Sequence, residues 1–185
     1  MVEIKGSVIL DSITGIKKRD GAQAYEELVA LLDEDTKRMF QGVISGSSWY
    51  SLELFLRFLA AEVNKSANGN EEVLVTRSEK VIERQLRGIY KVFVKLGSPE
   101  FLMKRIAAVH MTYFNGVAIE FTSLGPGKAT IRYTGFEAKH RLIGLTIVGF
   151  FRKALDLSGA TERDVRFTTR IEEAKGYADL AVSWK

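Results

Sequence analysis

The spacing of apolar residues changes about two thirds of the way along the chain. Up to residue 115 they recur every three or four positions, which is the period of a helix with one buried face. Ser98 and Pro99 followed by Glu100 form a start signal for one more helix. We predict a helical lobe over about 1–115. It begins with a short strand at 2–4, and helices follow at 7–18, from 22, 33–41, 49–63, 71–96 and from 99.

The pattern beyond this lobe alternates apolar and polar positions. VAIEFTSL and ATIRYTGF flank the turn GPGK and predict a β-hairpin. A helix at about 138–158 is apolar on nearly every side, and strands follow at about 164–172 and 177–184. This order predicts an α+β fold, an N-terminal helical lobe followed by ββαββ with a four-stranded antiparallel sheet over about 116–185. We treat 1–185 as a single domain.

The helix at 138–158 has too much apolar surface for a helix that packs on one side only. Two explanations are open. Either the helix lies between the sheet and the other helices, or it forms a buried dimer face. We therefore expect a homodimer or another protein partner as one of the possible assemblies.

Composition narrows the chemistry. The 185 residues contain no cysteine and two histidines, which excludes disulfides, thiol nucleophiles and thiolate zinc sites, so we expect no metal. The net charge of +4 comes from 27 basic and 23 acidic residues and is mild evidence for an anionic partner. With no long uncharged apolar run and no signal-peptide pattern in MVEIKGSVILDS, we expect a cytoplasmic protein without a membrane span.

Catalytic motifs are absent from the sequence. There is no GxSxG, and the acidic pairs are adjacent residues in segments that look exposed, not carboxylates converging in a cleft. We expect a protein that is not an enzyme and assign no catalytic residue.

The stretch AAVHMTYFNGVAIEF places one histidine among apolar and aromatic neighbours. Met103, Ala107, His110 and Phe114 share one stripe of the helix that begins at Pro99, so His110 faces inward. An inward neutral imidazole can bind iron or hold a small polar ligand. The commoner arrangement is a core histidine that is hydrogen-bonded to a backbone carbonyl or a tyrosine hydroxyl.

Two further groups of residues are candidate sites. Trp49 and Tyr50 lie beside flexible glycines and either close over a pocket or act as packing anchors. Five cations recur along one side of the helix at 71–96 and could meet nucleic acid, anionic lipid or an acidic protein face. No aromatics alternate with them, so we do not expect nucleic acid and interpret this ridge as a solvated helix face. Its members are Arg77, Lys80, Arg84, Arg87 and Lys91.

Several stretches carry a resemblance to known proteins: KGSVILDSI, WYSLELFLRF, GIYKVFVKLGSPEFLMKR, YFNG, YTGF, HRLIG and ALDLSGA. They resemble a family of proteins of similar length from myxobacteria and related proteobacteria, over nearly the whole chain. More distantly, a helical lobe followed by ββαββ resembles the superfamily that joins haem nitric-oxide/oxygen-binding (H-NOX) sensors, vinyl-reductase-like ligand domains and TRAPP vesicle-tethering subunits. The resemblance implies a fold rather than a chemistry.

The resemblance also bears on haem. In the haem sensors a helix before the hairpin supplies an iron-bound histidine, which by order of elements falls near His110, and a Tyr-x-Ser-x-Arg motif holds the haem propionates. Here the comparable stretch runs from Tyr133 to Glu137 and reads YTGFE, with glycine for serine and glutamate for arginine. A carboxylate repels propionates that a guanidinium would bind. The vinyl-reductase-like cysteine motif is missing from IEEAKGYADLAVSW, so we expect no cofactor.

The superfamily's shared feature is a cavity between helical lobe and sheet. The resemblance therefore implies a non-enzymatic ligand-binding sensory or regulatory domain for a small hydrophobic or amphipathic molecule. The alternatives are a homodimeric protein–protein interaction module without ligand and, less favoured, a haem-based gas sensor. Our pocket candidates are Trp49, Tyr50, Phe55, His110, Phe114 and Tyr133.

Overall fold

The computed structural model describes residues 1–87 and 99–185. The predicted α+β class, a helical lobe followed by ββαββ, is confirmed. In chain order the first part contains β1 (Glu3–Lys5), α1 (Gly6–Asp20), α2 (Ala22–Ala30), α3 (Glu34–Gln41), β2 (Trp49–Ser51), α4 (Leu52–Ala67), α5 (Val73–Arg87) and α6 (Pro99–His110). The second part contains β3 (Phe114–Asn115), β4 (Ala118–Ser123), β5 (Lys128–Thr134), α7 (Arg141–Leu157), β6 (Asp164–Thr169) and β7 (Tyr177–Ser183).

Short 3-10 turns at Met111–Tyr113, Ala138–His140 and Ile171–Glu173 connect α6 to β3, β5 to α7 and β6 to β7. The prediction of a helix over 71–96 applies to α5 as far as Arg87, and its remainder lies outside the described residues. α6 begins at Pro99, the first-turn position that the sequence signal gave to this proline.

The larger sheet has the strand order β4-β5-β7-β6, and every neighbouring pair is antiparallel. Alternate residues of β5, among them Ile131 and Tyr133, are fully buried, and Leu180 lies opposite Ile131 on β7. The outer face is polar, with Arg132 Nε donating to Asp179 Oδ1 over 2.8 Å between the same two strands. The alternation in the sequence thus reports the two faces of this sheet.

A second, three-stranded sheet of order β2-β1-β3 was not predicted. Our assignment of Trp49–Ser51 to the start of a helix is wrong, because these residues form a strand that pairs with Glu3–Lys5. The helix α4 begins one residue later, where the side chain of Ser51 accepts a hydrogen bond from the backbone N–H of Leu54. A three-residue strand shows too little alternation to be recognised without its partner.

Helix α7 is buried by the rest of the chain. It packs against α5 on one side and β6 on another, which selects the first of the two explanations for its apolar surface. At Gly149 a Cβ atom would lie 2.2 Å from the carbonyl oxygen of Val75, so only glycine allows α5 and α7 to approach this closely. No helix in the described ranges, α7 included, has the length and hydropathy needed to span a membrane. The homodimer stays a prediction.

Candidate functional site

A cavity of about 370 Å³ lies among α1, α4, α5 and α7. On α1 its wall is one helical stripe that includes Val8, Ser12 and Gly15, and the two small residues leave space between this helix and its neighbours. No strand of the four-stranded sheet contributes a described residue to the wall, because α7 separates the cavity from the sheet. The cavity therefore lies between the helical lobe and α7, one layer away from the sheet position that the sequence suggested.

Most of the wall is apolar. Buried side chains of the hydrophobic core form this part of the wall, and six of them come from β1, α4, α5 and α7. A wall built from such residues favours an apolar occupant over water, which needs several polar partners. The residues are Ile4, Phe55, Leu59, Leu74, Ile143 and Phe150.

His110 closes part of this wall from the last turn of α6. Its imidazole lies 4.6 Å from the ring of Phe150, centroid to centroid, and is stacked on it. Four more rings meet it edge-on with centroid distances of 5.2 to 6.1 Å. They belong to Phe114, Phe151, Tyr133 and Tyr113.

Tyr133 is the hydrogen-bond partner of this imidazole. Its Oη lies 2.9 Å from Nδ1 of His110, and both side chains are buried. Burial lowers the pKa of His110 from 6.5 to about 3 and raises the pKa of Tyr133 well above its ordinary value. Both groups are therefore neutral at physiological pH, and the pair is the core histidine with a tyrosine hydroxyl that the sequence left as one alternative.

A charged cluster also reaches the cavity wall. Glu62 on α4 is only 3% exposed, and its carboxylate accepts hydrogen bonds from the guanidinium groups of Arg19 on α1, at 2.5 Å, and Arg77 on α5. Ser66 Oγ donates to Glu62 over 3.0 Å and itself accepts from Arg77 over 2.9 Å. Burial, and after it the nearby Arg19, lower the pKa of Arg77. The carboxylate thus joins the three helices that form most of the cavity.

Three more cations belong to the wall where it opens to solvent. Lys18 projects from α1, and Lys80 and Arg84 project from α5; all three are exposed. A guanidinium nitrogen of Arg84 lies 3.5 Å from the place of a Cβ on Gly15, so this side chain extends from α5 across to α1.

The cavity brings together some of the predicted site residues. Phe55, His110 and Phe114 line it, whereas Tyr133 lies behind His110. Two candidates are elsewhere. Trp49, 38% exposed on β2, lies under the ammonium group of Lys5. The hydroxyl of Tyr50 accepts a hydrogen bond from the backbone N–H of Ser45.

The predicted cationic ridge also meets the cavity in part. Arg77, Lys80 and Arg84 line its wall, so this side of α5 is more than a solvated face. Lys91 and the side chain of Arg87 lie outside the described part of the chain.

Glu62 and Arg19 were not predicted from the sequence to belong to the site. A signal was present, because Glu62 follows Phe55 and Leu59 on the apolar stripe of α4. A carboxylate on such a stripe needs a buried cation beside it. The small residues Ser12 and Gly15 on the inner face of α1 are a second signal, typical of space beside a helix.

The fold is similar to that of H-NOX proteins, as the sequence predicted. The H-NOX protein from S. oneidensis in the Fe(II)NO ligation state has a TM-score of 0.73 and 14% identity, over 98% of this chain and 99% of that chain. The unliganded Fe(II) H-NOX protein from K. algicida has a TM-score of 0.71 and 11% identity, over 98% and 97%. A mutant of T. tengcongensis H-NOX gives 0.67 and 14%, over 98% of both chains. The sequence itself matches no family model and no curated protein.

The hydrogen bond between His110 and Tyr133 works against iron ligation in one of the two imidazole tautomers. A neutral imidazole has one donor and one acceptor nitrogen, and the hydroxyl hydrogen of Tyr133 has Nδ1 as its acceptor among the described residues. The other nitrogen then carries a hydrogen and has no lone pair for iron. In the opposite tautomer Nδ1–H donates to the Tyr133 hydroxyl, and the other nitrogen keeps its lone pair. Glu137 stands at the arginine position of the haem motif and pairs with Lys139 over 3.5 Å, so this position offers a carboxylate where a propionate would need a cation.

Proposed function

We propose that this chain is a cytoplasmic, non-enzymatic sensory or regulatory domain that binds a small hydrophobic or amphipathic molecule. The observation that carries the proposal is the cavity among α1, α4, α5 and α7. Its 370 Å³ lies within the range of about 300–1,000 Å³ that is typical of small-molecule sites. An apolar wall with a few fixed polar groups is also typical of such sites.

The architecture supports a sensory role. H-NOX proteins of the same fold include one solved with Fe(II)NO, so this arrangement of helices and sheet holds a small ligand in another protein. The similarity extends over nearly the whole chain, which makes the same use of the interior reasonable here. The pairing of His110 with Tyr133 favours an occupant other than haem.

The protonation of the wall supports binding over catalysis. A general base works best with a pKa near the operating pH, and burial lowers the pKa of His110 to about 3. Glu62, the acidic residue of the wall among those described, is held by two arginines rather than aimed at a reacting group. These groups suit the recognition of a ligand better than proton transfer to it.

Mass spectrometry of the purified protein tests the proposal. We expect the native mass to exceed the denatured mass by that of a small molecule, which organic extraction then recovers. Ser12→Phe places a ring into the cavity and should abolish the mass difference. Thr14→Phe puts the same ring on the exposed side of α1, outside the cavity, and should retain it.

Two results would overturn the proposal. One is an identical native and denatured mass together with no binding of an added apolar fluorophore. The other is a bound molecule that both α1 variants retain equally, because a ligand in this cavity cannot tolerate the ring at position 12. Absorbance after incubation with haem is a further check, and we expect no Soret band.

A further inference from the structure

The polar part of the cavity wall carries unequal charge. Among the described lining residues, one is acidic, Glu62, and five are basic, from α1 and α5. The basic residues are Lys18, Arg19, Arg77, Lys80 and Arg84. An apolar cavity with a positive opening is complementary to a molecule that is apolar at one end and negative at the other.

Two of these five cations have partners within the protein. Arg19 binds Asp20 and Glu62, and Arg77 binds Glu62 and Ser66. Two carboxylates therefore compensate two guanidinium groups, and this cluster is electrically balanced. It holds the helices together and leaves no net charge for a ligand.

The other three cations have no direct ion-pair partner among the described residues. In residues 1–87 and 99–185, Lys18, Lys80 and Arg84 form no ion pair with any carboxylate. Residues 88–98 read GIYKVFVKLGS and contain no aspartate or glutamate, so they have no carboxylate to offer. These three side chains are therefore available to bind an external anion.

We propose that the ligand is an amphipathic anion, an apolar chain ending in a carboxylate or phosphate, whose acidic group binds Lys18, Lys80 and Arg84. The inference rests on the proposed function and deepens it by naming the ligand class. The three cations come from both helices that border the opening, and Arg84 extends across Gly15 between them. The apolar chain then contacts the side chains of the inner wall, with Phe55 and Phe150 among them.

Calorimetric titration with three probes of equal chain length tests this class: dodecanoate, dodecyl phosphate and dodecanol. The protein is first freed of any bound molecule, and each probe is used at low salt below its micelle concentration or, for the alcohol, below its solubility limit. We expect both anions to bind about tenfold or more tightly than the alcohol, since each exposed charge contact adds a modest favourable contribution. The better of the two anions identifies the acidic group. Added salt should weaken the binding of the anions and leave the binding of the alcohol unchanged.

The charge-reversal variant Lys80→Glu/Arg84→Glu should weaken both anions to the level of the alcohol. Its matched control, Lys104→Glu/Lys128→Glu, changes the net charge equally at exposed lysines that do not line the cavity and should bind the anions like the wild type. Circular dichroism confirms that both variants are folded. Shortening the carboxylate by one methylene should weaken binding roughly fourfold, because the chain is in the apolar cavity.

The outcomes separate the two proposals. If dodecanol binds as tightly as the anions and the charge reversal changes nothing, the ligand class is wrong while the cavity still binds apolar molecules. If anions bind but the control pair weakens them as much as the cavity pair, general surface charge is responsible and the inference fails. If none of the three probes binds, the inference and the proposed function fail together.

Discussion

Two polar clusters contribute to the wall of one cavity, and their buried polar groups are compensated in opposite ways. Glu62 is surrounded by donors from Arg19, Arg77 and Ser66. His110 is neutral, and one hydroxyl, that of Tyr133, is its hydrogen-bond partner among the described side chains. Burying a charge requires several compensating groups, whereas burying a neutral pair requires fewer.

The clusters also join different parts of the fold. Glu62 links α1, α4 and α5 within the helical lobe, while His110 at the end of α6 links that lobe to β5 of the sheet. The comparison therefore predicts that damage to the charged cluster loosens three helices at once. Damage to the neutral pair should weaken a single contact between helix and sheet.

The largest expected effect comes from the charged cluster. Glu62→Gln leaves two partly buried guanidinium groups without their shared carboxylate and should lower the free energy of unfolding by about 3–5 kcal/mol. Urea denaturation measures the loss. Glu53→Gln on the same helix removes an exposed carboxylate that pairs with Arg57 and should leave the midpoint nearly unchanged. Equal losses for the two variants would contradict the central role of Glu62.

The neutral pair should respond less strongly. Tyr133→Phe leaves Nδ1 of His110 without its partner and should cost about 1–3 kcal/mol. Adding His110→Phe in the same protein removes the stranded polar atom, so the double variant should be more stable than the single Tyr133→Phe variant. A double-mutant cycle in urea gives the coupling. Additive losses would show that the hydrogen bond contributes nothing.

Lowering the pH should also destabilise the protein through His110, and the loss per pH unit should be smaller than the loss caused by Glu62→Gln. The pKa of His110 is about 3 in the folded protein and near 6.5 in the unfolded chain, so below pH 6.5 the unfolded state binds the extra proton. Above that pH the protonation of His110 costs no stability. From pH 6 to pH 5 the free energy of unfolding should fall by about 1 kcal/mol. The double phenylalanine variant should lose most of this slope and keep only the share of His140, whose pKa burial also lowers. A slope unchanged in that variant would assign it to other groups.

Much of the fold could be predicted from periodicity, because long elements repeat their pattern often enough to be recognised. α4 shows Phe55, Leu59 and Val63 on one side, and β5 alternates Ile131 and Tyr133 with polar residues. The three-stranded sheet could not be predicted, since each of its strands has two or three residues and depends on a partner far along the chain. Short non-local pairings leave no periodic trace in a sequence.

The candidate site could be predicted less fully from the sequence, for a related reason. The inward direction of His110 follows from its own helix, and its pairing with a tyrosine was one of two open alternatives. The position of the ridge on α5 depends on how that helix packs against α1, which the spacing of Arg77, Lys80 and Arg84 does not contain. Periodicity shows which residues share a face but not what the face meets.

The glycine at position 149 has a consequence for the size of the cavity. Its hydrogen lets the backbone of α5 rest directly on α7, with the carbonyl of Val75 where a methyl group would otherwise stand. Since α5 also forms one wall of the cavity, its distance from α7 helps to set the width available to an occupant. The absence of a Cβ atom at Gly149 therefore helps to determine how wide a molecule this interior accepts.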